Sequence, residues 1–263
     1  MGTIATTENN NAPLLSIITI NYNNAEGLKK TIESVLSQNF DDYEHIIVDG
    51  GSTDGSVEVV KDFLSDNNYA RHVTWWCSEK DSGIYNAMNK GIRHSCGEWV
   101  YMLNSGDKLI TDVLSQVSTI LKEHPMEVIY GAVDCYSENK YTWTSCKSYE
   151  RLDSGMLPHQ GFFSPRVFHE KFGLYDESLK ILADWDYALR LRDKNCKFYH
   201  VPIIIAEYDE SGISTRLTLF HINEINLLKK RFNLPIKQKK VLKNTLKLFI
   251  PPIIIVLLRK IKR

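Results

Sequence analysis

Four carboxylates in this chain sit where chemistry on a charged ligand would want them: Asp49, Asp107, Asp184 and Asp186. Asp49 ends the apolar run His45-Ile46-Ile47-Val48 and opens the turn Asp49-Gly50-Gly51-Ser52-Thr53-Asp54-Gly55. A carboxylate there either caps the helix that follows or is aimed at a base or ribose. The turn has neither the GxxxxGK[ST] spacing of a P-loop nor GxGxxG, which argues against ATP hydrolysis and hydride transfer. In Leu103-Asn104-Ser105-Gly106-Asp107 the acid again follows a buried run, and Gly106 lets backbone approach a ligand closely. That segment is either an ordinary Asn/Gly/Asp turn or part of a Mg²⁺ or Mn²⁺ site completed by substrate phosphates. Asp184 and Asp186 flank Trp185 at the start of a helical pattern, so only one of them can face a cleft. Acids in a first turn complement the helix dipole, yet one that is partly desolvated beside Trp185 gains the proton affinity of a general base. His159-Gln160, after Pro158, can bond a hydroxylated ligand or a backbone carbonyl.

These residues need a scaffold, and the apolar pattern supplies one. Leu14 to Ile20 is a continuous apolar run of the kind found in strands buried on both faces of a parallel sheet. Helical spacing follows from Glu26 to Gln38, Ser56 to Leu64 and Gly83 to His94, alternating with apolar runs at 45–48, 73–77 and 99–103. A helix to about Glu123 and a strand at 128–133 come next, then a less regular aromatic stretch, a helix at 182–192 and a strand at 197–205. Alternating strands and helices predict an α/β fold with a parallel sheet. In such sheets ligands bind outside the carboxyl ends of the strands, which makes Tyr22, Asp49 and Asp107 candidates for one cleft.

The 263 residues, 43% hydrophobic and 24% charged, exclude a disordered chain or a disulfide-stapled miniprotein. Five cysteines without a CxxC pair fit a reducing compartment and argue against a zinc knuckle. Net charge is zero, but every acid lies at or before Glu224, and residues 229–263 carry twelve Lys and Arg. The body is therefore acidic and unsuited to nucleic acid, while the basic segment suits an anionic membrane surface. Its apolar run Leu248 to Leu258 is too short to span a bilayer and long enough to lie in the interface. The expected organisation is a polar leader at 1–13, a catalytic domain at 14–220 with halves 14–107 and 108–220, and a basic membrane-associating tail at 221–263.

Five segments in order resemble one family. They are Ser16 to Asn23, Ile47 to Gly55, Ser78 to Gly91, Leu103 to Asp107 and Ala183-Asp184-Trp185-Asp186. Together they resemble family 2 of the inverting glycosyltransferases, whose GT-A fold is a Rossmann-like, mostly parallel sheet flanked by helices. The resemblance runs from about Leu14 to Thr215. It implies a nucleotide-sugar donor, commonly UDP-linked, and a divalent cation, Mn or Mg. It places Tyr22, Asp49, Asp81 and Asn104 on the donor, Asp107 on the metal and Asp184 as general base, with Arg190 six residues on; His159, Gln160 and Trp185 are candidates for acceptor contacts. Departures are visible: Asn104 and Asp107 are what remains of the DxD motif, Asn86 stands where the family carries Asp, and Ala183 replaces an acid. The subset with Leu103 to Asp107, Pro158 to Gln160 and Ser211 to Ser214 is similar to enzymes of bacterial exopolysaccharide and O-antigen assembly.

The expected activity is hexosyl transfer with inversion from such a donor to a hydroxyl of a glycan or polyprenyl-linked acceptor, by a cytoplasmic protein peripheral on the inner face of the cell membrane. A sugar nucleotidyltransferase and a catalytically degenerate nucleotide-sugar-binding protein are the rival expectations.

Overall fold

The computed structural model describes residues 12–210 and 219–235. Strand β1 (Leu15–Asn21), helix α1 (Ala25–Leu36), β2 (Tyr43–Asp49), α2 (Ser56–Leu64), the short α3 (Asn67–Ala70), β3 (Val73–Ser78), α4 (Ile84–His94) and β4 (Trp99–Met102) form the first half. The second half adds β5 (Lys108–Leu109), α5 (Val113–Glu123), β6 (Glu127–Ser137), β7 (Lys140–Ser145), β8 (Phe162–Pro165), α6 (Arg166–Phe172), α7 (Ala183–Asp193), β9 (Lys197–Asp209) and α8 (Leu219–Arg231). The nine strands of the described residues join one sheet in the order β3-β2-β1-β4-β8-β6-β9-β5, with β7 pairing antiparallel to residues 133–137 of β6. β1 to β4 are mutually parallel and β6 runs parallel to β9, while β8 is antiparallel to both β4 and β6. The fold is therefore the mostly parallel GT-A arrangement expected, although the two proposed halves share a single sheet.

Burial explains why β1 reads as one apolar run. Its alternate side chains enter different cores: Ile17 packs with Val113, Val117 and Leu121 of α5, and Ile18 with Met88 and Ile92 of α4 and Leu189 of α7. Helix α4 lies so close that a Cβ on Gly91 would meet Ile18 Cγ2 at 2.3 Å, which requires glycine there. The polar members of the inner strands are satisfied internally, as Ser16 donates to Glu44 (2.6 Å) and Thr19 pairs with His45 (2.8 Å). No disulfide forms among the five cysteines.

The domain boundary drawn at residue 220 is corrected by α8. Leu228 is fully buried and Glu224 nearly so. The Glu224 carboxylate accepts the backbone N–H groups of Lys180, Ile181 and Leu182, immediately ahead of α7. Arg231 pairs with Asp186 and Asp176. Residues 219–235 thus belong to the folded domain, because the acid at 224 and the apolar stripe around Leu228 outweigh the basic composition that starts at Lys229. The rest of the expected tail and the leader, residues 236–263 and 1–11, lie outside the described residues. Among the described residues no helix is long and apolar enough to cross a membrane.

Candidate active site

The carboxyl ends of β1, β2 and β4 and the loop after β3 open on one edge of the sheet. Asp49, at the tip of β2, turns inward. Its Oδ1 accepts from Asn21 Nδ2 (2.7 Å) and its Oδ2 from Ser78 Oγ (2.6 Å), Ser52 N (2.9 Å) and Gly51 N (3.2 Å). Burial works to raise its proton affinity, but the hydrogen bonds from Ser52, Ser78 and Asn21 outweigh it and hold the carboxyl below its usual range. Direct contact of Asp49 with a nucleobase is corrected accordingly: with both oxygens engaged and the residue 1% exposed, it organises the β2–α2 turn. Replacing Asp49 by Ala is expected to cost about 3 kcal/mol, read from urea unfolding, since it orphans several buried donors at once; a loss within experimental error would refute the keystone role.

What the turn presents is Gly50, and around it the sequence-expected donor residues meet. A Cβ there would lie 2.7 Å from Asp81 Oδ2 and 3.2 Å from a ring carbon of Tyr22. Tyr22 is 67% exposed, the exception among the large side chains near β1. Asp81 is fixed by accepting Gly83 N (3.0 Å), just ahead of α4. A slot walled by an exposed aromatic ring and a carboxylate suits a planar base with N–H donors.

The 104–107 loop is locked from below. Thr31 of α1 donates to Asp107 O (2.7 Å) and accepts Gly106 N (3.0 Å), and Asn24 Nδ2 reaches Ser105 O (3.2 Å). Gly106 has φ +103, a conformation that favours glycine. The Asp107 carboxylate is buried; Gln160 Nε2 donates to its Oδ2 (3.0 Å) and Asp209 N to its Oδ1 (3.1 Å). Burial pushes it up to about 7. Among the described residues no three His, Cys, Asp or Glu side chains gather as a metal cage. Both Asp107 oxygens accept hydrogen bonds here, so the carboxylate braces the loop, and a cation at this position would depend on substrate phosphates for its other ligands. Gln160 is 3% exposed and its side-chain amide is spent on Asp107.

One residue before Gln160, His159 joins this loop to α7. Asn104 Nδ2 lies 3.0 Å from His159 Nε2, so that nitrogen is the acceptor and the ring proton sits on Nδ1, 3.8 Å from Asp184 Oδ2. In this orientation Asn104 Oδ1 is buried without a partner. Desolvation lowers His159 to about 4, so the ring is neutral near pH 7. Asp184 keeps 16% of its side chain exposed. Burial pushes it up to about 7, against hydrogen bonds from Trp185 N (2.7 Å) and the Tyr85 hydroxyl (3.3 Å), which donates chiefly to Ile181 O (2.6 Å). Asp186, by contrast, is buried against Arg190 (2.8 Å) and Arg231. Of the two acids flanking Trp185, only Asp184 faces the cleft. Trp185 is itself 3% exposed, its indole N–H on Leu152 O (2.7 Å), and it lines a groove that leads away from Asp184.

Tyr85 and Glu224 are the residues that sequence reasoning missed. Tyr85 lay inside the quoted Ser78 to Gly91 segment, where its hydroxyl had no visible partner; Glu224 was legible only as the last acid before a basic run.

Comparison with known proteins agrees with this architecture. The model of the family described as Glycosyl transferase family 2 matches residues 16–194. The PGL/p-HBAD biosynthesis glycosyltransferase of Mycobacterium bovis (strain BCG / Pasteur 1173P2) is 32% identical over 207 residues, covering 76% of this chain and 78% of that protein. Among solved structures, S. aureus TarS 1-349 in complex with UDP-GlcNAc superposes with a TM-score of 0.66 at 14% identity, over 86% of this chain and 69% of that one. Full TarS matches over only 41% of its length. The mannosyltransferase PcManGT from Pyrobaculum calidifontis, in complex with GDP-Man and Mn2+, gives 0.57 at 18% identity, over 76% of this chain and 57% of that one. With the family pattern running from the first strand to the end of the helix that carries Asp184, the chain belongs to glycosyltransferase family 2 and is a glycosyltransferase of GT-A fold.

Proposed function

We propose that this protein transfers a sugar from a nucleotide-sugar donor, with inversion, to an acceptor hydroxyl.

 The donor is a UDP-linked sugar, the acceptor a hydroxyl of a glycan or polyprenyl-linked molecule, and Asp184 the general base. The observation that carries this reading is Asp184 itself: partly exposed, raised to about 7, and tied through His159 to the loop that follows β4. As the acceptor oxygen attacks the anomeric carbon, Asp184 takes its proton, the bond from that carbon to the diphosphate breaks with its electron pair on the leaving oxygen, and nucleoside diphosphate departs from the opposite face. Neutral His159 lies 3.8 Å from the carboxylate and does not compete for the proton. Binding of UDP-GlcNAc by TarS and of GDP-Man by PcManGT supports a nucleotide-sugar donor here. The test is transfer measured as release of free nucleoside diphosphate; release of pyrophosphate would point to a nucleotidyltransferase, and binding without turnover to a degenerate scaffold.

Tyr22→Ala is expected to weaken UDP binding about tenfold by calorimetry, the loss of one base–aromatic stack. Unchanged affinity would remove Tyr22 from the donor slot. The nine Lys and Arg of residues 236–263 would hold the protein on the anionic inner face of the cell membrane. Flotation with anionic liposomes, comparing the full chain with one ending at Pro235, tests that; an earlier cut would remove buried Leu234.

A further inference from the structure

A groove of about 390 Å³ starts at Asp184 and His159 and runs between α8, β7 and residues 154–158. Its walls include Trp143, Leu157, Ile181, Trp185, Ile222 and Ile225, and Asp184 is the one carboxylate among the described residues that line it. Trp143 is 46% exposed and its indole N–H is held by Glu210 Oε1 (3.1 Å), which fixes the ring at the rim. Gln160, also on the lining, is spent on Asp107.

We infer that the acceptor presents its hydroxyl on an apolar body, an alkyl or aryl aglycone, and that this body lies in the groove. The inference rests on Asp184 being the base, because a cavity continuous with the base must hold what the base deprotonates. The wall of Leu157, Ile181, Ile222 and Ile225 leaves hydroxyls of an extended glycan unpaired on that side, a cost that an apolar chain does not incur, while Ser145, Ser154 and Asn226 are among the polar residues that complete the lining.

The experiment compares binding of octyl β-glucoside, below its micelle-forming concentration, with that of methyl β-glucoside by saturation-transfer NMR on the full chain with UDP present. The octyl compound is expected to bind on the order of tenfold tighter, the equivalent of about two buried methylenes. Ile225→Glu, which charges the groove, and Ile225→Trp, which fills it, are both expected to abolish the gain. Equal binding of the two glucosides, or a gain that survives both substitutions, overturns the inference. So does a gain seen only in a chain ending at Pro235, which would make the protein's own C-terminal segment the occupant. A rise in melting temperature with UDP reports the donor slot separately, so failure of the donor reading is distinguishable from failure of this one.

Discussion

Asp184→Asn is expected to lower the transfer rate on the order of 10²- to 10⁴-fold while UDP binding is retained. The amide can still accept Trp185 N, which now donates to Oδ1, but it cannot take a proton. Wild-type turnover should rise with pH to a plateau with a midpoint near 7, because the carboxyl must be ionised to act. Stability should move the other way. The folded-state values of Asp184 and Asp107, about 7, lie above the ordinary 3.8, so between roughly pH 4 and 7 the folded chain holds protons that the unfolded chain has released. Stability therefore declines as pH rises through that window, and Asp184→Asn should decline less. Full turnover in the purified variant, or a rate independent of pH from 5 to 8, would remove Asp184 from the role.

Glu224→Ala is expected to destabilise the protein by about 3 kcal/mol, because three backbone N–H groups at residues 180–182 lose a buried, charged acceptor. Those residues lead directly into α7, so the variant should also lose turnover through misplacement of Asp184. Glu224→Gln keeps an oxygen acceptor and removes the charge that helps to raise Asp184. Its pH–rate midpoint should fall below that of the wild type, and its stability should lie between the other two. An unshifted midpoint together with wild-type stability would mean that α8 merely rests on the domain.

Much of the first half of the fold was legible in the chain order of its residues. Runs such as 14–20 and 45–48 are strands because apolar β-branched side chains fill both faces of an inner sheet, and the polar turns after them follow from where such strands must stop. The second half was less legible. β8 is a four-residue strand inserted antiparallel between β4 and β6, with no periodicity long enough to read. β9 continues past the expected Ile205 to Asp209, and that extension brings a backbone N–H to Asp107.

The residue types and their order determined an α/β fold, and the five motifs carried the resemblance to family 2 glycosyltransferases, because strand and helix periodicity and short motifs are local properties of the chain. Only the tertiary structure decided which carboxylates are buried and which face the cleft. Asp49, Asp107 and Asp186 each look available in sequence, yet each is turned inward by partners between 2 and 102 positions away, such as Gly51 and Asp209. A carboxylate's role depends on who occupies its lone pairs and how much water remains around it, and neither is written at its own position.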